Sequence, residues 1–313
     1  MKSSIKNFIP AEGRKNLSKQ FHRLKNLGLD HNPGEDLDAL RKKMNLYFKF
    51  FPAQRKQYEK ELDFINTHSD PKYKFSFILP YKFINRHDIM KVSVSIDEDA
   101  GLLYVTHKGK RLYYSWDHKI PGKVAYTYNN ICIEQDELSP HRYLTGNFDV
   151  REGDTVLDIG AAEGNFALDV VERAGRIIIF ETDEKWIEAL RHTFKPWKDK
   201  VEIINKFVGD KDSGDTVTLK SVLSGTKADF IKMDVEGAEN SILRSSRDLL
   251  ESSHGLRLAV CTYHADGDAE DTEKILKSCG YDCNFSDGYM LFLFSHLKPP
   301  YFRKVLMRAE KSV

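Results

Sequence analysis

Several short stretches of this 313-residue chain place acids, glycines and a histidine where apolar runs of strand length end. The first is Asp158-Ile159-Gly160-Ala161-Ala162-Glu163-Gly164-Asn165, after the run Val156–Ile159. Gly160 permits a tight turn, and Gly164 lets a ligand or the next helix approach closely. A dinucleotide fingerprint needs glycine at 162 and 165, and a phosphate loop needs Gly-Lys-Ser/Thr. Neither pattern occurs here. Asp158 and Glu163 would each repel a nearby pyrophosphate, at about 1–4 kcal/mol per close pair. They would attract a cation. S-adenosylmethionine carries a sulfonium and an ammonium and no phosphate, so it suits this bend better than NAD.

The next strand ends extend the same site. Ile177–Phe180 runs into Glu181-Thr182-Asp183, with Glu181 21 residues after Gly160. A carboxylate there can accept the hydroxyls of an adenosine ribose. Asp183 reads as the cap of the following helix. Phe207 and Val208, at the end of the third run, are placed to pack on an adenine. The fourth run, Phe230–Met233, ends in Asp234-Val235-Glu236-Gly237-Ala238-Glu239. Asp234 and Glu236 can hold an amino group, orient a substrate hydroxyl or bind Mg²⁺. Glu239 reads as a first-turn acid that favours a helix dipole. The fifth run, Leu256–Thr262, is followed by Tyr263 and His264. An imidazole at that rim is suited to accept a proton from a hydroxyl. Cys261 lies inside the run and reads as core.

These residues need a frame. From Val156 onward, strand-length apolar runs alternate with amphipathic helical segments, which predicts a parallel sheet covered by helices. Tyr281–Phe285, Asp287-Gly288 and Tyr289–Phe294 predict a closing hairpin with an antiparallel last strand. Upstream, the alternation from Met90 to Trp116 predicts a β-meander, and residues 121–150 read as a less regular lead-in. Leu37, Leu40, Met44, Tyr47, Phe48 and Phe51 predict a helix stopped by Pro52. The expected organisation is a helical subdomain over 1–85, meander and lead-in over 86–150, a ligand-binding α/β domain over 151–296 and a basic tail over 297–313.

Composition narrows the function. Lys+Arg is 48 and Asp+Glu 47, a balance that gives no general reason to expect nucleic-acid binding. The basic excess sits in residues 1–75, with sixteen Lys/Arg against nine Asp/Glu. It reads as a solvated face, with contact to an anionic glycan, nucleotide-sugar or membrane surface as the sharper alternative. No apolar run approaches the ~20 residues of a membrane helix. The N-terminus lacks the apolar core of a secretory signal. The four cysteines show no CxxC pair, which gives a zinc site little support, excludes a disulfide scaffold and fits a reducing cytoplasm.

The stretches DIGAAEGNF, FETDEKW and FIKMDVEGAENSIL, with a fifth strand ending in YH, resemble the FkbM family of S-adenosylmethionine-dependent methyltransferases. The resemblance covers roughly residues 150–294, and Lys232–Glu239 is its most specific part. It implies an α/β class I methyltransferase (Rossmann-like) fold, a seven-stranded sheet of order 3-2-1-4-5-7-6 with strand 7 antiparallel. It implies O-methylation of sugars, polysaccharides or related natural products. By position, Asp158, Gly160, Ala161, Gly164 and Asn165 would line the cofactor, Glu181 and Thr182 the ribose, and Asp234 the transferred methyl. Glu236 and Tyr263 would face the acceptor. Two departures stand out: Glu181-Thr182 where the family often has Glu-Pro, and Thr262-Tyr263-His264 where it often has Glu-x-His.

The lead-in Glu134-Gln135 and Ser139-Pro140-His141-Arg142-Tyr143 also looks like relatives of this group and implies a lid over the cofactor. His141 is then a second base candidate, and Arg142 a partner for a cofactor or substrate carboxylate. The tail Pro299–Leu306 reads as a short amphipathic helix. The leading expectation is an O-methyltransferase with His264 as general base, needing no metal and acting on a small-molecule or glycan acceptor. The rivals are a cofactor-binding but inert scaffold in a glycan-assembly complex, and an NAD-dependent oxidoreductase.

Overall fold

The computed structural model describes residues 37–68, 77–292 and 299–311. The chain opens with three helices, α1 (Leu37–Phe50), α2 (Pro52–Gln57) and α3 (Glu59–Thr67). Leu40, Met44 and Phe48 recur at four-residue spacing and are all buried, which fixes the inner face of α1. Pro52 closes it and starts α2. The part of the expected helical subdomain before residue 37 lies outside the described residues.

A two-residue strand β1 (Phe77–Ile78) leads to the meander β2 (Val94–Asp97), β3 (Leu102–His107) and β4 (Lys110–Tyr113). The expected first meander strand is shorter than its alternation suggested. Residues Ile89–Lys91 form a 3-10 turn capped by Asp88. Lys108 and Gly109 both take positive φ, 50° and 82°, as a two-residue hairpin turn demands. The lead-in is not irregular at its start. Pro121–Glu134 is a helix, α4, with Val124, Ala125 and Ile131 buried. Pro121 stands at the first helical position, where proline costs no hydrogen bond.

Then follow β5 (Thr155–Ile159), α5 (Asn165–Val170), β6 (Arg176–Phe180), α6 (Glu184–Thr193), β7 (Val201–Ile204), β8 (Phe207–Val208), β9 (Thr216–Val217) and α7 (Leu219–Leu223). After them come β10 (Phe230–Met233), α8 (Glu239–Ser245), α9 (Arg247–Ser252), β11 (Arg257–Cys261), α10 (Asp268–Ser278), β12 (Asp282–Phe285), β13 (Tyr289–Phe292), β14 (Phe302–Lys304) and β15 (Leu306–Glu310). The main sheet has seven strands in the order β12-β15-β11-β10-β5-β6-β7. Counted along the chain this is 3-2-1-4-5-7-6. The strands β7, β6, β5, β10 and β11 run parallel, and β15 is antiparallel to both neighbours. Every residue of β10 and β11 is buried, the signature of a sheet covered on both faces. Separate apolar clusters fill the two faces.

The antiparallel last strand is present, but its identity differs from expectation. β12 pairs with β15, not with β13. β13 leaves for a second sheet with β1 and β14. Gly288 explains the departure. It has φ +100°, and a side chain there would meet the Tyr81 hydroxyl at 2.4 Å. The Tyr289 amide donates to that same hydroxyl at 2.6 Å. Tyr81 thus draws the chain toward the N-terminal part, and the hairpin opens. Leu306, Met307 and Ala309 of the tail, fully buried, fill the place the hairpin strand would have taken. The tail is therefore strand rather than amphipathic helix, and the ligand-binding fold does not end at residue 296. The inner faces of α1 and α3 pack on this second sheet, sharing a core with Leu291, Tyr301 and Phe302.

Candidate functional site

The carboxyl ends of β5, β6, β10 and β11 meet on one rim, where open α/β sheets bind ligands. Gly160 sits there with φ +79°, and a Cβ on it would lie 1.9 Å from the Asp234 carbonyl oxygen. Its smallness is required by the neighbouring strand end. Gly164, at φ +80°, is pressed by α6 instead: a Cβ would meet Leu190 at 2.6 Å. That glycine serves helix packing rather than ligand approach. Between them Ala161 is buried and Ala162 takes a left-handed φ of 45°. Asn165 is the first residue of α5.

Glu181 closes this bend. One carboxylate oxygen accepts the Ala162 amide at 2.7 Å, the other the amides of Thr182 at 2.6 Å and Asp183 at 2.8 Å. Burial pushes its pKa up, and these three donors pull against that. Asp183 caps α6, as expected, by accepting the Lys185 amide. Glu163, in the bend, is pushed up to about 7 by burial, with Glu181 adding to the rise.

Asp158 does not present its charge to the rim. It is fully buried and forms an ion pair of 3.1 Å with Lys232, itself 3% exposed. The two are direct neighbours across the β5–β10 register. Burial works against charge on Lys232, but Asp158 and Asp234 outweigh it and raise its pKa. The Lys232 ammonium also donates to the Gly160 carbonyl and so ties the bend to the fourth strand. The negative character expected of the bend comes from Glu163 and Glu181, not from Asp158.

Asp234 ends β10 as the centre of a polar cluster. Its Oδ2 accepts from the Tyr143 hydroxyl at 2.8 Å, and its Oδ1 lies 3.4 Å from His264 Nε2 and 3.5 Å from the Tyr263 hydroxyl. Burial favours its neutral form, but Lys232, His264, His141 and the Tyr143 hydroxyl together hold it down to about 2. Glu236 follows in a left-handed bend, φ 57°, with a half-exposed side chain and Oε2 3.9 Å from His264 Nε2.

His264 lies at the rim beside Asp234, as expected, within a set of acids. It is 5% exposed, and its Nδ1 lies 3.0 Å from Glu239 Oε1. Burial lowers its pKa, yet Glu239, Glu236 and Asp234 overcome this and raise it to about 10. These three carboxylates favour the doubly protonated form of the imidazole. Glu239 is correspondingly more than a first-turn acid. It is 2% exposed and also accepts the Val235 amide at 2.8 Å, so it fixes both the bend and the imidazolium.

The lead-in folds over this rim. His141 is 1% exposed, with Nε2 3.1 Å from the Tyr263 hydroxyl. Burial dominates its surroundings and lowers its pKa to about 4, so it is the neutral imidazole of the pair. Glu134, at the end of α4, feels Asp234, Glu163 and Glu236; burial and these acids raise its pKa well above the usual carboxylate range. Arg142 is not brought into the site. Its guanidinium donates to the Leu144 carbonyl at 2.6 Å. Phe207 is 40% exposed on β8, and Val208 packs on the apolar core.

The residues missed from sequence are Lys232, Glu239, Tyr143 and Glu134. A lysine inside a doubly buried strand was the available signal for the first. The others depend on which loop folds over which strand end.

The sheet order, the antiparallel seventh strand and the ligand rim define a class I methyltransferase fold. Within it, residues 207–283 match the family model described as the Methyltransferase FkbM domain. No curated protein matches the sequence. Among solved structures, an FkbM methyltransferase from Methylobacillus flagellatus KT aligns at 18% identity and TM-score 0.42, covering 60% of this chain and 54% of that one. This chain thus spans about half the length of that relative. An rRNA methylase from Streptococcus thermophilus aligns at 18% identity and TM-score 0.35, covering 52% and 90%. A putative transferase from Pyrococcus horikoshii aligns at 13% identity and TM-score 0.42, covering 67% and 71%.

Proposed function

We propose that the chain is an S-adenosylmethionine-dependent O-methyltransferase acting on a hydroxyl of a sugar, glycan or related small-molecule acceptor. The observation that carries this reading is the clamp of Glu181 across the glycine bend, opposite Asp234. A carboxylate has about four lone-pair sites. Three backbone amides occupy Glu181, which leaves room for a ribose hydroxyl. Glu163, Glu181, Asp234 and Glu236 make the rim acidic, the complement of a sulfonium and an ammonium. Ala162 and Glu236, both left-handed, hold strained bends on either side, as ligand clamps often do.

S-adenosylmethionine would supply there an electrophilic methyl carried on sulfur. Ala161, Ala162 and Asn165 would seat its body, Glu181 and Thr182 its ribose, and Phe207 and Val208 its base. Asp234 then orients the acceptor hydroxyl. His141, rather than His264, takes the proton: the Tyr263 phenol gives its proton to His141 Nε2 as it receives one from the acceptor. His264 acts as a fixed cation that holds Asp234 ionised. Alignment and exclusion of water by the lead-in supply much of the barrier reduction, about 7–11 kcal/mol in favourable cases.

Calorimetry with S-adenosylhomocysteine, on wild type and Glu181→Ala, tests the cofactor half. Wild type should bind and the variant should bind at least ~10-fold more weakly, the loss of one charge-assisted hydrogen bond. No heat with wild type would sink the reading. Methyl transfer to a panel of nucleotide-sugars and oligosaccharides tests the acceptor half. His141→Gln should cut turnover by about 10²–10⁴ with unchanged cofactor affinity. Binding without transfer to any hydroxyl would favour an inert scaffold instead.

A further inference from the structure

The outward side of the first two helices is built unlike the rest of a solvated surface. In α1 the stripe Leu40, Met44, Phe48 is buried against the second sheet. Two residues further on, about 200° around a helix, lies the stripe Lys42, Leu46, Phe50, which is exposed. Leu46 is 59% and Phe50 70% exposed, and Phe51, stacked on Tyr47 at 4.6 Å, is 48% exposed. Lys49 stands beside them, and α2 adds Arg55 and Lys56 with no buried residue of its own. From Ala39 to Tyr58 the sequence holds six Lys/Arg and no Asp/Glu.

We propose that this outer face of α1 and α2 docks the protein on an anionic lipid surface. Asp38, on the same exposed stripe, is paired with Arg41 at 3.0 Å, and the rest of the charge on this face is positive, which selects a negative partner. The apolar residues select which one. A soluble polyanion gains from Lys42, Lys49, Arg55 and Lys56 but nothing from Leu46, Phe50 and Phe51. A bilayer interface gains from both, because the apolar side chains enter the acyl boundary while lysine and arginine stems reach back to the headgroups. The helix lies on the surface, since no described helix is long and apolar enough to cross a membrane. The buried stripe keeps α1 attached to the second sheet, so docking needs no unfolding. This surface is remote in sequence from the rim residues, and its test is independent of whether the rim binds a cofactor.

The test is co-sedimentation of the full chain with phosphatidylcholine vesicles, with and without about one third phosphatidylglycerol. Binding is expected to the anionic vesicles alone, and to weaken as salt shortens the range of the attraction. Each basic residue near such a surface is worth about five-fold in affinity. Lys42→Glu/Lys49→Glu should therefore lose about 25-fold or more, and Leu46→Glu/Phe50→Glu at least ~10-fold. Both double variants alter exposed side chains and should keep the wild-type melting temperature. The idea is overturned if wild type ignores the anionic vesicles. It is equally overturned if Leu46→Glu/Phe50→Glu binds the anionic vesicles as wild type does, which would mark charge alone, and so a soluble polyanion, as what the face recognises. A wild-type dimer that Leu46→Glu/Phe50→Glu dissolves, without vesicle binding, would assign the face to a second copy of the chain.

Discussion

At the scale of residues, the rim turns on two histidines that the same fold drives in opposite directions. Both have an unfolded pKa near 6.5. His264, surrounded by Glu239, Glu236 and Asp234, is raised to about 10. A raised pKa stabilises fully below 6.5 and loses that contribution as pH climbs toward 10. His141, buried, is lowered to about 4. A lowered pKa stabilises above 6.5 and loses that contribution as pH falls toward 4. Glu163, raised to about 7, adds a slope of opposite sign to His141 between about 4.5 and 7. Differences between wild type and variant isolate each group. Melting temperatures across pH 4–10 should show that His264→Gln removes the alkaline fall and His141→Gln removes part of the acid fall. An unchanged alkaline limb in His264→Gln would mean that the imidazole is not a cation. Little of this was legible beforehand. The type and rim position of His264 follow from the end of the fifth run, but its protonation depends on Glu239, which helix periodicity alone assigns to a dipole.

At the scale of elements, the joint between β5 and β10 carries the site. Asp158 and Lys232 face each other across it, and Lys232 also holds the glycine bend. Removing one partner of a buried pair leaves an uncompensated charge, at a cost of about 3–5 kcal/mol, whereas replacing both can be nearly neutral. Chemical denaturation should show Lys232→Met destabilised by about that amount, with Asp158→Asn/Lys232→Met recovering most of it. A double variant as unstable as the single one would mean that the ammonium's bond to Gly160, not the ion pair, supports the bend. The glycine bend and the acid after β6 were readable from sequence because turn chemistry and strand ends are local. The ion pair was not, because it needs the register of two strands more than seventy residues apart in the chain.

At the scale of the whole molecule, the tail is part of the sheet. β15 lies between β11 and β12 and pairs with both along its length. Ending the chain after Lys298 should leave two strand edges open and exposed apolar surface, and the product should lack a cooperative thermal transition. A truncated chain that melts like wild type would restore the hairpin expected from residues 281–294. The α/β alternation and the acidic rim were fixed by periodicity, since burial on both faces dictates apolar runs and strand ends dictate where polar groups can emerge, while the seven-strand count was implied by the family resemblance. Partner choice was decided only in three dimensions. An apolar strand such as Tyr289–Phe292 or Leu306–Glu310 satisfies its backbone equally well beside several neighbours. Packing around Tyr81 and Gly288 selected among them. The same holds for the ionisation of His264, His141 and Asp234: residue type gives the capacity to carry a proton, and the surrounding charges and the loss of water determine whether it is carried.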